Sequence, residues 1–394
     1  MKKAVLLFCD NDISHNIPML GIAKTLQSKG HRVVFCGSNE NHSFFQKQPY
    51  TYMASEIFDL EKQNVVNTVD LGFFDTKTLQ GIAKGQLDSI MQDVQPDMIL
   101  FSYYISYLLP FFKKKYNEIK YCCVNILMRG ELFTPKFLYN FHYETASSDI
   151  QTLVKSILHT PEKDMETVID ETYQDFKEFI LCPKEMDIDA KYQQQNVEYS
   201  EAIIGGNDLS EEIPEKNNVI LFSMGSYSKQ FPLVINKIVE KVIACSKLLR
   251  EKDASYKFIL SIPDGVLTND LMQACADENI NLVSWFDQNK LLYSSKLMIT
   301  HGGIGSIKEC IYAQTPMLCF PLTRDQPYNT KRIESLGLGK KLHPLESDVD
   351  EIFSALTDLL ENDSYQTNLN TFRNIFNDYR EKETLYNQLM AVAG

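Results

Sequence analysis

Short apolar runs alternate with segments of helical periodicity along most of the chain. Residues 4–9, 32–36, 98–101 and 121–126 are rich in Val, Leu, Ile and Phe and predict buried strands. Between them, residues 17–29, 76–93 and 105–116 carry apolar positions at helical spacing. The pattern then pauses at residues 210–218, which hold charges and a proline without periodicity, as a linker does. It restarts with predicted strands at 219–223, 256–261, 297–300 and 317–320 and predicted helices at 232–250, 304–313 and 348–361. Strand–helix alternation implies parallel sheets with helices on both faces. The expected organisation is therefore an N-terminal Rossmann-like domain over 1–209, a linker over 210–218 and a C-terminal Rossmann-like domain over 219–364. A helical segment over 365–394 follows, and the sequence does not decide which domain it packs on. Two such halves imply a cleft, with ligands at the C-terminal edges of the strands.

Length and composition agree with this picture. A chain of 394 residues suits two domains of ordinary size, and 44% hydrophobic with 23% charged residues is a globular composition. The net charge of -13 argues against a nucleic-acid partner, since phosphate backbones are bound mainly by Lys and Arg. A small anion is still compatible, because backbone amides at helix starts can hold it. Nine cysteines lie mostly in apolar runs without a CxxC pair or zinc-type Cys/His spacing, which suits core positions in a reducing, cytoplasmic compartment. The apolar run 4–9 stops at Asp10, short of a signal core, and no stretch approaches the ~20 apolar residues of a membrane span.

The segment richest in chemistry is Thr300-His301-Gly302-Gly303-Ile304-Gly305-Ser306-Ile307-Lys308-Glu309. It follows a predicted strand and opens a predicted helix. Glycines there let the backbone approach a ligand, and free N–H groups at the helix start point at an anion. His301 can donate to a phosphate oxygen, and Ser306 can bind phosphate or cap the helix. Glu309 lies one turn beyond Ser306 on the same face, where a carboxylate can accept both hydroxyls of a ribose.

These residues resemble the UDP-glycosyltransferases of the GT-B fold, which include plant natural-product and bacterial macrolide glycosyltransferases. The family's donor signature begins with a Trp and a Gln three residues later, matched by Trp285 and Gln288, although Phe286-Asp287 departs from the usual intervening pair. The resemblance implies that Trp285, the one Trp of the chain, stacks on uracil. It places His301, Gly303, Gly305, Ser306 and Glu309 at diphosphate and ribose, and Gly225 and Ser226 in a glycine-serine turn near the diphosphate. Asp325 and Gln326, in the run Pro321-Leu322-Thr323-Arg324-Asp325-Gln326, match the pair that hydrogen-bonds the sugar. Covering the C-terminal domain closely and the N-terminal domain loosely, it implies two Rossmann-like domains with parallel sheets facing a central cleft.

On the acceptor side, Ser14-His15-Asn16-Ile17-Pro18 resembles the family's His-x-x-Pro loop, which makes His15 the expected general base. Many relatives orient that histidine with an Asp at the end of the strand after a Pro-Asp pair. Here Pro96-Asp97 leads to Ser102 instead. Ser102 can hydrogen-bond an imidazole but cannot stabilise its charge as a carboxylate would. Asp10 or Asp12 is left to substitute, or activation differs. Residues 128–143, with Phe73, Phe74, Tyr103 and Tyr104, either line an apolar acceptor pocket or pack as core. The resemblance implies inverting transfer of a hexose, glucose or a close relative, from a UDP-sugar to a small, largely apolar acceptor hydroxyl. A dTDP donor stays open. No cofactor beyond the donor substrate and no metal is expected, and the oligomeric state is not set. A nucleotide-sugar 2-epimerase and a non-catalytic nucleotide-sugar binder or auxiliary subunit are the alternatives.

Overall fold

The computed structural model describes residues 2–59, 74–128, 134–187, 196–204 and 212–394, with the side chains of Ser226 and Tyr227 excepted. The chain forms two compact units, residues 1–206 with 379–394 and residues 207–378.

The first unit is a seven-stranded parallel sheet. Its strands are β1 (Ala4–Phe8), β2 (Arg32–Gly37), β3 (Thr51–Ala54), β4 (Met98–Ser102), β5 (Lys120–Asn125), β6 (Lys177–Ile180) and β7 (Val197–Tyr199), in the order β3-β2-β1-β4-β5-β6-β7. β1 pairs with β2 on one side and with β4 on the other, with Phe8 opposite Phe101. The order reverses at that point, so the loops leaving β1 and β4 diverge to opposite faces and leave a crevice between them. β1 and β4 carry buried apolar side chains almost throughout, as a central parallel strand must.

The second unit repeats the plan with six parallel strands. These are β8 (Asn217–Ser223), β9 (Lys257–Ser261), β10 (Asn281–Val283), β11 (Ser295–Thr300), β12 (Met317–Cys319) and β13 (Gly339–Lys341), in the order β10-β9-β8-β11-β12-β13. The switch point lies between β8 and β11, where Ser223 stands opposite Thr300. One core, including Phe222, Ile238, Val242, Phe258, Ile299 and Leu356, packs the helices Pro232–Lys252 and Val349–Glu361 on the sheet. A capping box of Asp348 and Glu351 fixes the start of the second of these helices.

Several sequence expectations are refined. The pattern at 76–93 forms two helices, Thr76–Ala83 and Asp88–Val94, because the chain turns at Gly85 with φ +78°. The pattern at 105–116 begins as a 3-10 turn over Tyr103–Leu108 and becomes α-helical at Leu109–Lys115, with Pro110 in the first turn. The first helix is Ile13–Ser28, capped by Asp12, which places His15 in its first turn rather than on the preceding loop. Strands β3, β6, β7, β10 and β13 have no counterpart in the apolar runs. The C-terminal helix Thr384–Ala393 docks on the first unit, where Glu201 Oε2 accepts the Leu385 N–H at 2.6 Å and Lys3 Nζ donates to the Ala393 carbonyl. All nine cysteines are free and buried. Among the described residues no helix is long and apolar enough to cross a membrane.

Candidate functional site

In the second unit, chemistry-bearing residues gather at the switch point because the loops leaving β8 and β11 meet there. β8 runs into Gly225, whose φ of +70° no L side chain adopts easily. β11 runs into His301, then Gly302 with φ +81°, then Gly303, which starts the helix Ile304–Tyr312 without a side-chain cap. The first N–H groups of that helix are therefore not taken by a capping side chain, and the helix dipole adds positive potential in front of them. The imidazole of His301 sits between the two glycine turns. A Cβ on Gly225 would lie 2.5 Å from its Cε1, and one on Gly303 would lie 2.5 Å from its Nε2. Both positions need glycine for that reason. A Cβ on Gly305, by contrast, would meet open space.

Burial pushes the His301 pKa down to about 4, opposed by a hydrogen bond to the backbone of Ser223. The ring is neutral near pH 7 and holds a single proton. With that proton donated to the Ser223 carbonyl, donation to a phosphate oxygen requires either release of this bond or uptake of a second proton.

The Trp-x-x-Gln element joins this turn through one side chain. Asp287 caps the short helix Gln288–Leu292, and Gln288 Nε2 donates to Ser306 Oγ at 3.0 Å and to Glu309 Oε2 at 2.5 Å. Burial raises the Glu309 pKa to about 7, with Gln288 lowering it and Asp287 raising it. Trp285 is 75% exposed, so it is not core and presents its ring to solvent or ligand. Asp325 precedes the helix Gln326–Ser335 and accepts from Asn329 Nδ2 at 2.6 Å, while the same amide donates to the Gly302 carbonyl at 3.1 Å. Asn329 thus ties the His-Gly-Gly turn to the Asp325 carboxylate. Gln326 is buried, and its Oε1 accepts the N–H groups of Leu322 and Thr323 at 2.8 and 3.0 Å. Its carbonyl end is spent on shaping the loop, which leaves only its amide nitrogen for a sugar. The side chain of Ser226 lies outside the described residues.

The first unit has a second cluster, at the crevice between β1 and β4. Nδ1 of His15 is 3.0 Å from Asp10 Oδ1, and the ring stacks on Tyr104 with centroids 3.8 Å apart and planes 6° from parallel. Asp12 Oδ2 is 3.8 Å from Nε2. Ser102 Oγ donates to Asp10 Oδ2 at 2.7 Å, so its hydroxyl is linked to the imidazole through that carboxylate. Phe74 is buried against Tyr107, Phe111 and Tyr139, which resolves it as core. Tyr104 serves as the floor under His15 rather than as acceptor-pocket lining alone. Phe73 and residues 129–133 lie outside the described residues. Sequence left Asp10 and Asp12 undecided and did not find Tyr104 or Asn329 in these roles. Among the described residues no group of three or more His, Cys, Asp or Glu is arranged to hold a metal ion.

Residues 217–383 match the family described as UDP-glucoronosyl and UDP-glucosyl transferase, so the resemblance read from Trp285 to Gln326 is a family match of that segment. The ecdysteroid UDP-glucosyltransferase of Mamestra brassicae nuclear polyhedrosis virus is 32% identical over 99 residues, 25% of this chain and 19% of that protein. UDP-glucuronosyltransferase 1A6 of Oryctolagus cuniculus is 30% identical over 165 residues, 41% of this chain and 28% of that protein. The matched part of the chain thus spans less than a third of the length of these relatives. Among solved structures, the kitacinnamycin glycotransferase superposes with a TM-score of 0.73 at 15% identity, covering 100% of both chains. The glycosyltransferase VinC in complex with dTDP gives 0.69 at 14% identity, covering 99% of both. These likenesses establish the fold, two Rossmann-like domains of the GT-B class.

Proposed function

We propose that this chain is an inverting glycosyltransferase that moves a hexose from a UDP-sugar to a hydroxyl of a small, largely apolar acceptor. The observation that supports it most is the cluster of Gln288, Ser306 and Glu309 beside the Gly225–His301–Gly303 turn and the exposed Trp285. That combination offers an aromatic face for a base, a carboxylate for a ribose and helix-start amides with no capping side chain for a diphosphate. Asp325, held by Asn329, and the amide nitrogen of Gln326 are the groups proposed for the sugar hydroxyls.

In the reaction, the acceptor oxygen forms a bond to the anomeric carbon from the face opposite the nucleotide, and the bond from that carbon to the diphosphate oxygen breaks. Nε2 of His15 takes the acceptor proton, and UDP leaves with the electron pair of the broken bond. The N–H groups at the start of Ile304–Tyr312 and the helix dipole stabilise its charge, with no metal required. The test is UDP release from UDP-glucose with a panel of phenolic and macrolide acceptors. Acceptor-dependent release that falls by about 10²–10⁴-fold in His15→Ala is the expected result. UDP binding without turnover on any acceptor favours a nucleotide-sugar binder instead.

A further inference from the structure

We propose that Asp10, at the mouth of β1, is the residue that positions His15 and balances its charge during proton transfer, and that Ser102 acts only by holding Asp10. The inference rests on the proposed role of His15 as the base. In the resembling enzymes the orienting carboxylate stands at the end of the strand that here ends in Ser102. This chain has no carboxylate there, but the neighbouring central strand supplies one. β1 and β4 are hydrogen-bonded partners at the switch point, so a residue two beyond Phe8 comes within reach of both the first helix and the end of β4.

The geometry assigns each atom of Asp10 a partner. Oδ1 lies 3.0 Å from His15 Nδ1 and accepts the Asp12 N–H at 2.9 Å, and Oδ2 accepts the Ser102 hydroxyl at 2.7 Å. Its backbone carbonyl accepts amide protons from Asn16 at 3.0 Å and Asn41 at 2.7 Å. The carboxylate cannot rotate away from the ring without losing several of these bonds. An ionised carboxylate only accepts, so it places the imidazole proton on Nδ1 and leaves the Nε2 lone pair for the acceptor hydroxyl. Tyr104, stacked at 3.8 Å, fixes the ring plane.

Asp12 is unsuited to this role. Its Oδ1 accepts both the N–H and the hydroxyl of Ser14 as the cap of the first helix. Its Oδ2 stands 3.8 Å from Nε2, beyond hydrogen-bond distance and on the edge that must receive the substrate proton. The two carboxylates therefore divide the work, Asp12 starting the helix that carries His15 and Asp10 setting the ring.

The test uses the full chain labelled with 15N-histidine, as wild type, Asp10→Asn, Ser102→Ala and Asp10→Asn/Ser102→Asp. Ring 15N shifts report which nitrogen carries the proton, and thermal melting confirms folding. Wild type is expected to hold the neutral proton on Nδ1. Asp10→Asn is expected to lose that preference, because an amide can turn its NH₂ toward Nδ1. Acceptor-dependent UDP release should then fall by about 10²-fold or more in kcat with little change in KM. The acid limb of its pH profile should move to lower pH, as loss of a neighbouring negative charge requires. Ser102→Ala should move tautomer and profile the same way by less, and it serves if Asp10→Asn does not fold. The double variant, with a carboxylate where relatives carry it, should recover part of the lost kcat. An imidazole tautomer identical in wild type, Asp10→Asn and Ser102→Ala overturns the proposal. The ring measurement needs no acceptor, so absence of any turnover would count against the transferase reading while the tautomer still decides the role of Asp10.

Discussion

The pH dependence of nucleotide binding offers a quantitative check on Glu309. Its carboxyl has a pKa of about 7 in the unliganded protein, pushed up chiefly by burial. Ribose hydroxyls donate to a carboxylate and so favour the ionised form, which brings the pKa of the complex back toward the ordinary 4.5. By linkage, UDP affinity then weakens about tenfold between pH 8 and pH 6, with one proton released on binding at the lower pH. The sign for the free protein runs the other way. Between pH 4.5 and 7 the folded chain holds a proton that the unfolded chain has lost, so stability is full below that window and falls as pH rises through it. Glu309→Gln should accordingly stabilise the unliganded protein at pH 8 by up to about 3 kcal/mol. The same variant should weaken UDP binding at pH 8 by about 10- to 100-fold, the worth of a hydrogen bond to a charged group. Isothermal titration of UDP from pH 6 to 8.5 with both proteins measures this, and the variant subtracts the titration of the phosphate itself. If wild type and Glu309→Gln show the same ratio of Kd at pH 6 and pH 8, the ribose role of Glu309 is wrong.

Two further substitutions test the same site from different sides. Trp285→Ala should cost UDP about 1–3 kcal/mol of stacking while leaving the melting temperature nearly unchanged, because the ring is mostly in solvent. A large loss of stability with unchanged Kd would return Trp285 to a packing role. Gly225→Ala should destabilise the second unit by about 1–3 kcal/mol, since it forces a side chain into φ +70° and within 2.5 Å of the His301 ring. Its UDP affinity should fall with it, read by calorimetry and urea unfolding on the same preparation.

What the sequence determined by itself is whatever a contiguous stretch encodes. The long apolar runs of β1, β4, β8 and β11 and the helices between them were legible because period and composition are local properties. The donor-type cluster was legible for a related reason. A strand end, a glycine turn and a helix start lie within ten residues, from Thr300 to Glu309, so spacing alone aligns their groups. The short strands β3, β6, β7, β10 and β13 were not legible, since three to four residues are too few to show a period. Their place at or toward the sheet edges also asks for less apolar sequence. Only the tertiary structure decided that Trp285 is exposed, that Gln326 spends its carbonyl on its own loop, and that the last helix docks on the first unit through Glu201 and Lys3. It also decided the surroundings of His15. Asp10 and Ser102 are 92 residues apart and meet because strand order reverses between β1 and β4, a long-range pairing that no local pattern records.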